Sequence, residues 1–350
     1  MTAWLAAIAL PLLVLVLVAP WVRQAFAVWD FGELLPLLRG RDGFLAAIRT
    51  LAEYYRADGR ANYLTYAQIA LTWRIAGDSA LAWQAQRAVM MIVPAFLFVL
   101  AARRMGAAPV SAGLGGALVI LGASAMEGWT LLMGEPLAVA LLLGMVLLAV
   151  GYRDAARWRG RAALLGVLAL AVMQTKEVLG VCIPFVVLLA LCHEPGGGLR
   201  LPRRDSRTLW LTGSLALSLG LELAILVPAL GQLQAEGYAG GYGAEGMGLA
   251  RVGSLILAMQ LPMWFNASGI GSLLYPANAA VCLLLLLAGW RVIRTRPAWL
   301  PGALVLGILP VVGAFVYAPW PRYAPFYGMP FWFGGAGLIV AGGTVLARSS

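Results

Sequence analysis

The stretch "LLMGEPLAVALLLGMVLLAVGYRDAARWRGR", residues 131–161, decides the fold class. Between Glu135 and Arg153 it carries no charge. An uncharged apolar run of that length is what a helix needs to cross a hydrocarbon core about 30 Å thick. It opens on an acid followed by proline. Both suit a helix start, because proline has no N–H to lose in the first turn and a carboxylate complements the positive end of the helix dipole. It closes on a connection dense in arginine.

Working outward, apolar segments recur near 4–22, 85–102, 110–126, 131–150, 162–175, 178–192, 208–230, 272–290, 299–317 and 326–346. The chain is 62% hydrophobic and only 11% charged, with mean hydropathy +0.86, which no compact soluble core requires. The fold class expected is all-α: a multi-span helical membrane protein of about ten transmembrane helices, with interfacial helices in its first outer loop. The run 4–22 is read as a retained helix and not a signal peptide, since no positive residue precedes it.

The connections carry orientation. "ARRMG" (102–106), "YRDAARWRGR" (152–161), "LRLPRRDSR" (199–207) and "RVIRTR" (291–296) are arginine-rich, whereas the alternate ones are acidic or neutral. The positive-inside rule makes the first set cytoplasmic, with both termini on that side, in a multi-pass cell (inner) membrane protein. Most acids, Asp30, Glu33, Glu135 and Glu177 among them, then fall outside. Only Asp154, Glu194 and Asp205 fall inside, and Glu222 lies within a span. The net charge of +10 is thereby assigned to topology, and no nucleic acid is expected as a partner. Cys182, Cys192 and Cys282 are odd in number without paired spacing, and His193 stands alone, so neither a disulfide framework nor a metal site is expected.

The first outer loop, 23–84, is the most informative connection. Apolar Phe44, Leu45, Ile48, Leu51, Ala52 and Tyr55 fall at helical spacing, with Arg49, Glu53 and Arg56 opposite. This predicts an amphipathic helix lying in the membrane interface. Segment 62–77 is about 16 residues, roughly 24 Å as a helix, and is expected to be a partly inserted outer helix. Arg39, Arg41, Arg49, Arg56 and Arg60 run against the orientation rule, which points to an anionic ligand such as lipid phosphate. The hairpin "AVMQTKEVLGVCIPF" (171–185) joins two short apolar segments. Lys176 and Glu177 should therefore be recessed at membrane level, as a ligand site or as a self-neutralising structural pair. Glu135 stands either as a functional acid or as a plain helix start, and Glu222 as a functional or a structural group. Near the C-terminus, "YAPWPRYAPFYGMPFWF" (317–333) sets Arg322 and Tyr323 among belt aromatics, where the arginine could hold a phosphate.

In this order the pieces resemble the GT-C superfamily of integral membrane glycosyltransferases, which use polyprenyl-phosphate or polyprenyl-pyrophosphate sugars. The likeness rests on Asp30 after the first span, helix 44–55, "DGRANYLTYAQIAL" (58–71), Arg87 in "WQAQRAVM", "GEPLAVALLL" (134–143), "QTKEVLGVCIPF" (174–185) and region 231–271. Many relatives carry two adjacent acids where this chain has Asp30 and then Phe31. The resemblance implies a catalytic membrane module over 1–271, including a late outer loop at 231–271, followed by C-terminal transmembrane helices at 272–350. It implies transfer of a hexose or pentose, with inversion, from a polyprenyl-phosphate-linked sugar donor to a glycan, lipid or protein acceptor of the cell envelope. The site would be extracytoplasmic and surrounded by membrane lipids. Asp30 would be the base and Glu135 the second choice. Arg60, Arg87, Lys176, Glu177, Arg322 and Tyr323 would bind substrate. No cofactor is required by this reading. A divalent cation stays open, because the outer acids supply oxygen ligands without a compelling spacing. The alternative from another class is a polytopic transporter or lipid-linked glycan flippase.

Overall fold

The computed structural model describes residues 8–13, 15–16, 31–41, 43–56, 60–121, 134–193 and 202–236. Among them every regular element is helical. The elements are α1 (Phe31–Leu38), α2 (Phe44–Arg56), α3 (Tyr63–Ala76), α4 (Ala80–Arg104), α5 (Pro109–Leu121), α6 (Glu135–Ala149), α7 (Trp158–Thr175), a 3₁₀ segment (Glu177–Cys182), α8 (Ile183–Cys192) and α9 (Ser206–Glu236). Asp30, Arg322, Tyr323, the late loop beyond Glu236 and the C-terminal helices expected at 272–350 lie outside the described residues.

Two helices are long and apolar enough to cross a membrane, α4 and the Ser206–Pro228 part of α9. The Pro136–Ala149 part of α6 and all of α8 are shorter apolar helices. The expectation of about ten spans rests in large part on residues beyond these. Helix α7 starts at Trp158, inside the arginine-rich connection. The second arm of the 171–185 hairpin is a 3₁₀ turn before it becomes helix at Ile183, where Pro184 suits the first turn.

The described helices pack as two apolar cores. The larger joins α4, α5, α6, α7, the 3₁₀ segment, α8 and, through Leu211, α9, around Met91, Phe98, Val139, Leu143, Leu165 and Leu189. The smaller joins α1, α2, α3 and the start of α4, around Leu34, Leu51, Tyr66, Ile69 and Trp83. Within it α2 is a helix as its spacing predicts, but its buried stripe is Ala47, Leu51 and Tyr55, while Phe44 and Leu45 stay exposed. The helix α3 follows at once and takes that arc, so the face expected to meet lipid is in part a protein contact. Gly77 makes the tight α3–α4 junction possible. Its φ of +50° favours glycine, and Trp83 Nε1 donates to its carbonyl at 2.9 Å.

One end of the larger bundle gathers arginines. Arg104 donates to the Leu147 carbonyl at 3.1 Å, Arg103 to that of Ala107, Arg161 to that of Gly151 and Arg153 to that of Leu191. Arg153 also pairs with Asp205 at 3.0 Å, which ties connection 152–161 to connection 199–207. Asp205 caps α9 by accepting from the Thr208 N–H at 2.9 Å. The ends of α4, α6 and α8 and the starts of α7 and α9 therefore share this side. The α6 start and the α7 end share the other.

Candidate functional site

The site builds up at that other end, where three segments far apart in sequence meet. Thr65 Oγ1, on the first turn of α3, donates to the Thr175 carbonyl at 2.7 Å. Thr175 ends α7, so this bond satisfies a carbonyl that the helix itself leaves without a partner. Gly134, just before α6, fills the remaining space. A Cβ there would lie 2.1 Å from Thr65 Oγ1 and 2.6 Å from both the Thr175 carbonyl oxygen and its Cγ2. The glycine of "GEP" is thus required by close approach. It brings the α6 N-terminus, where Glu135 and Pro136 open the helix, against the base of the lysine hairpin.

Lys176 follows directly. Its backbone leaves the helix in an extended conformation, and the residue is only 4% exposed. Glu177 opens the 3₁₀ turn, and its Oε2 is buried without a hydrogen-bond partner. On the α3 side, the chain enters through Arg60, whose guanidinium lies 5.9 Å from the centre of the Tyr55 ring. Tyr55 stacks on Tyr66, with centroids 5.5 Å apart, and Tyr63 meets Tyr66 edge-on at 5.8 Å. Tyr66 is 2% exposed. Burial pushes its phenol up to about 12, against the opposing effect of the Asn62 backbone; the Glu177 charge adds to the rise and Arg60 opposes it. The charges of Arg60 and Glu177 therefore both act on Tyr66.

Two further charged groups are withdrawn from solvent in the bundle. Arg87 is 3% exposed on α4. Trp83 and Met91, one turn to either side on the same face, belong to the smaller and larger cores respectively. Arg87 thus sits at the seam between the cores. Deeper in the bundle, the Glu222 carboxylate of α9 accepts from Gln174 Nε2 at 2.7 Å, one residue before Thr175. Glu177 lies within Coulombic range of Glu222.

Of the residues singled out from sequence, Arg60, Lys176, Glu177 and the backbone of Glu135 come together here. Arg39 does not join them: it pairs with Asp78 at 3.0 Å on the exposed surface, so its place in the outer loop has a simpler cause than an anion. Thr65, Thr175, Gly134 and Tyr66 were not visible as site residues. The only sequence hint was the clustering of Tyr54, Tyr55, Tyr63 and Tyr66. Among the described residues no cluster of His, Cys, Asp and Glu could hold a metal ion. Comparison with family models, with curated proteins and with solved structures finds no match for the chain.

Proposed function

We propose that the chain is a membrane glycosyltransferase that moves a sugar from a polyprenyl-phosphate or polyprenyl-pyrophosphate donor to an acceptor at the extracytoplasmic face. The observation that carries the reading is the meeting of Arg60, Lys176–Glu177 and the Glu135 end of α6 around the Thr65–Thr175 contact. Intramembrane charge is costly and is retained mainly for function. A buried lysine, an arginine and a helix N-terminus form a cationic surround suited to a leaving phosphate. The membrane reading draws on the outward side chains of α9: Leu209, Trp210, Leu217, Leu221 and Val227 are all exposed among the described residues, a surface that lipid accommodates and water does not. On this reading about ten helices span the membrane, both termini are cytoplasmic, and the arginine-rich end faces the cytoplasm.

In the reaction the acceptor hydroxyl oxygen bonds to the anomeric carbon from the face opposite the phosphate. The bond from that carbon to the phosphate oxygen breaks, and its electron pair leaves with the lipid phosphate. The hydroxyl proton passes to a carboxylate, assigned to Asp30 with Glu135 as the alternative. Lys176 and Arg60 offset the charge that grows on the phosphate.

The test is labelled-sugar transfer in detergent, run beside donor binding. Asp30→Asn should lose at least about 100-fold in transfer and keep donor binding. Lys176→Ala should weaken donor binding. Near-wild-type transfer by Asp30→Asn together with an inactive Glu135→Gln would move the base to Glu135. If both variants and wild type fail to make product from any polyprenyl-phosphate sugar, the enzyme reading falls. The buried Glu222–Gln174 pair favours one second reading, a transporter, in which substrate crosses the bilayer and no glycosidic bond forms.

A further inference from the structure

A cleft at the arginine-bearing end of the bundle takes no part in the site above. It has a volume of about 240 Å³ and is lined by Leu100, Arg103, Arg104 and Leu147. The first three come from the last turns of α4 and the fourth from the end of α6, so its walls are two helices that finish side by side. Arg104 is exposed and spends one of its donors on the Leu147 carbonyl, which carries no net charge. The two guanidiniums outweigh the roughly half unit of negative charge at each helix C-terminus. The cleft is therefore cationic at its mouth and apolar on its walls.

A second observation extends it. Val89, Val93 and Phe96 are exposed on α4, and with Leu100 they follow the spacing i, i+4, i+7, i+11. This stripe ends at Arg103 and Arg104. From Val89 to Leu100 it measures roughly 16 Å along the helix axis, close to the half-thickness, about 15 Å, of the hydrocarbon core. The cleft offers many times the room that one water needs, enough for a phosphate headgroup.

We infer that this cleft and stripe bind one anionic phospholipid of the arginine-side leaflet. The guanidiniums hold its phosphate and one acyl chain runs along Leu100, Phe96, Val93 and Val89. A basic pocket between helices at this level is the chemistry that selects an anionic headgroup over a zwitterionic one. The inference rests on the membrane part of the reading above and not on glycosyl transfer. Partition of the chain into detergent checks the former separately.

The experiment uses the full chain purified in neutral detergent and measures binding of dioleoylphosphatidylglycerol, dioleoylphosphatidylcholine and inorganic phosphate. The anionic phosphatidylglycerol should bind in preference. Arg104→Ala should weaken it about five-fold and Arg103→Ala with Arg104→Ala about thirty-fold, the effect of about one and two surface cations. Val93→Asn should weaken the lipid without changing any response to inorganic phosphate. Arg204→Ala, an equal loss of charge at the same end but outside the cleft, should change nothing. Melting of each variant without lipid identifies any that fail to fold, and Arg104→Ala with Val93→Asn carries the test if Arg103→Ala is among them. Equal binding of the two lipids, equal loss in Arg204→Ala, or full competition by inorganic phosphate would each overturn the inference.

Discussion

Replacing Gly134 by alanine adds one methyl group at the point where the site is assembled. The backbone there is right-handed helical, with φ −71° and ψ −2°, so alanine meets no conformational penalty and the effect is one of space alone. The new Cβ would stand 2.1 Å from Thr65 Oγ1 and 2.6 Å from two atoms of Thr175. Ordinary contact begins near 3.4 Å, and one of the blocking atoms is a backbone oxygen at a helix end, which cannot turn aside. Either α6 moves away or the Thr65–Thr175 hydrogen bond opens. Overpacking of this kind costs about 1–3 kcal/mol, and leaving the buried carbonyl without its donor adds about 1–3 kcal/mol. The sum, about 2–6 kcal/mol, is a large part of the stability of a typical domain.

The control lies in the same helix. A Cβ on Gly144 would find its nearest neighbour, Leu168 Cδ1, at 3.9 Å. Alanine there should stabilise by about 0.5–1 kcal/mol through helix propensity. Chemical unfolding in mild detergent, followed by tryptophan fluorescence, should therefore separate the two variants widely and in opposite directions from wild type. Thr65→Ala in the Gly134→Ala background should recover part of the loss, since it removes the 2.1 Å contact but leaves those with Thr175. Should Gly134→Ala unfold within about 0.5 kcal/mol of Gly144→Ala, the scatter of ordinary surface substitutions, then α3, α6 and α7 do not meet at this point and the site as built is wrong.

Three further outcomes follow from particular groups. Tyr66 ionises only near 12, above the ordinary 10 of an unfolded chain, so its contribution is fully present below pH 10 and is lost as pH rises towards 12; the alkaline limb of the stability curve should flatten in Tyr66→Phe, and an unchanged limb counts against burial of the phenol. The Thr208 N–H, with Arg153 beside it, holds the Asp205 carboxyl below its ordinary range, so its contribution is present above about pH 4 and disappears as the pH falls through the lowered value; Asp205→Asn should remove that acid sensitivity, with an effect of about 1 kcal/mol for a cap and a part-buried pair, and identical acid melts for the two proteins would discount the cap. Glu222→Leu, which strips Gln174 of its acceptor, should destabilise by about 1 kcal/mol in detergent, whereas Glu222→Gln keeps an acceptor and should stay near wild type; equal losses would assign the effect to charge.

Much of this architecture can be read locally. The α6 start is written in "GEP", because an acid and a proline both answer the chemistry of a helix N-terminus. The burial of Lys176 follows from the shortness of the apolar segments on either side. Where one-dimensional reading fails, the cause is a partner it cannot see. Helix α2 has two overlapping apolar arcs, one containing Phe44 and Leu45 and one containing Ala47, Leu51 and Tyr55. Only the arrival of α3 decides which is buried. The Thr65–Thr175 bond joins residues 110 positions apart and has no periodicity to betray it. Tyr66 reads as one more interfacial aromatic until Tyr55 is stacked against it.

The arrangement of the two cores gives these polar residues a common logic. A helical protein could join its cores with leucine and alanine throughout. Here the face of α4 that passes from one core to the other carries Arg87 between Trp83 and Met91. The contact of α3 with α7 is made by two threonines, beside a lysine withdrawn from solvent. Withdrawing an ion from water costs several kcal/mol even after relaxation, and packing would be served as well or better by apolar side chains of similar volume. Arg60, Lys176, Glu177 and the N-terminus of α6 converge about the Thr65–Thr175 contact, whereas Arg87 marks the passage from one core to the other along α4. On the reading proposed above, a lipid-borne phosphate is the ligand expected where Arg60, Lys176 and the N-terminus of α6 converge.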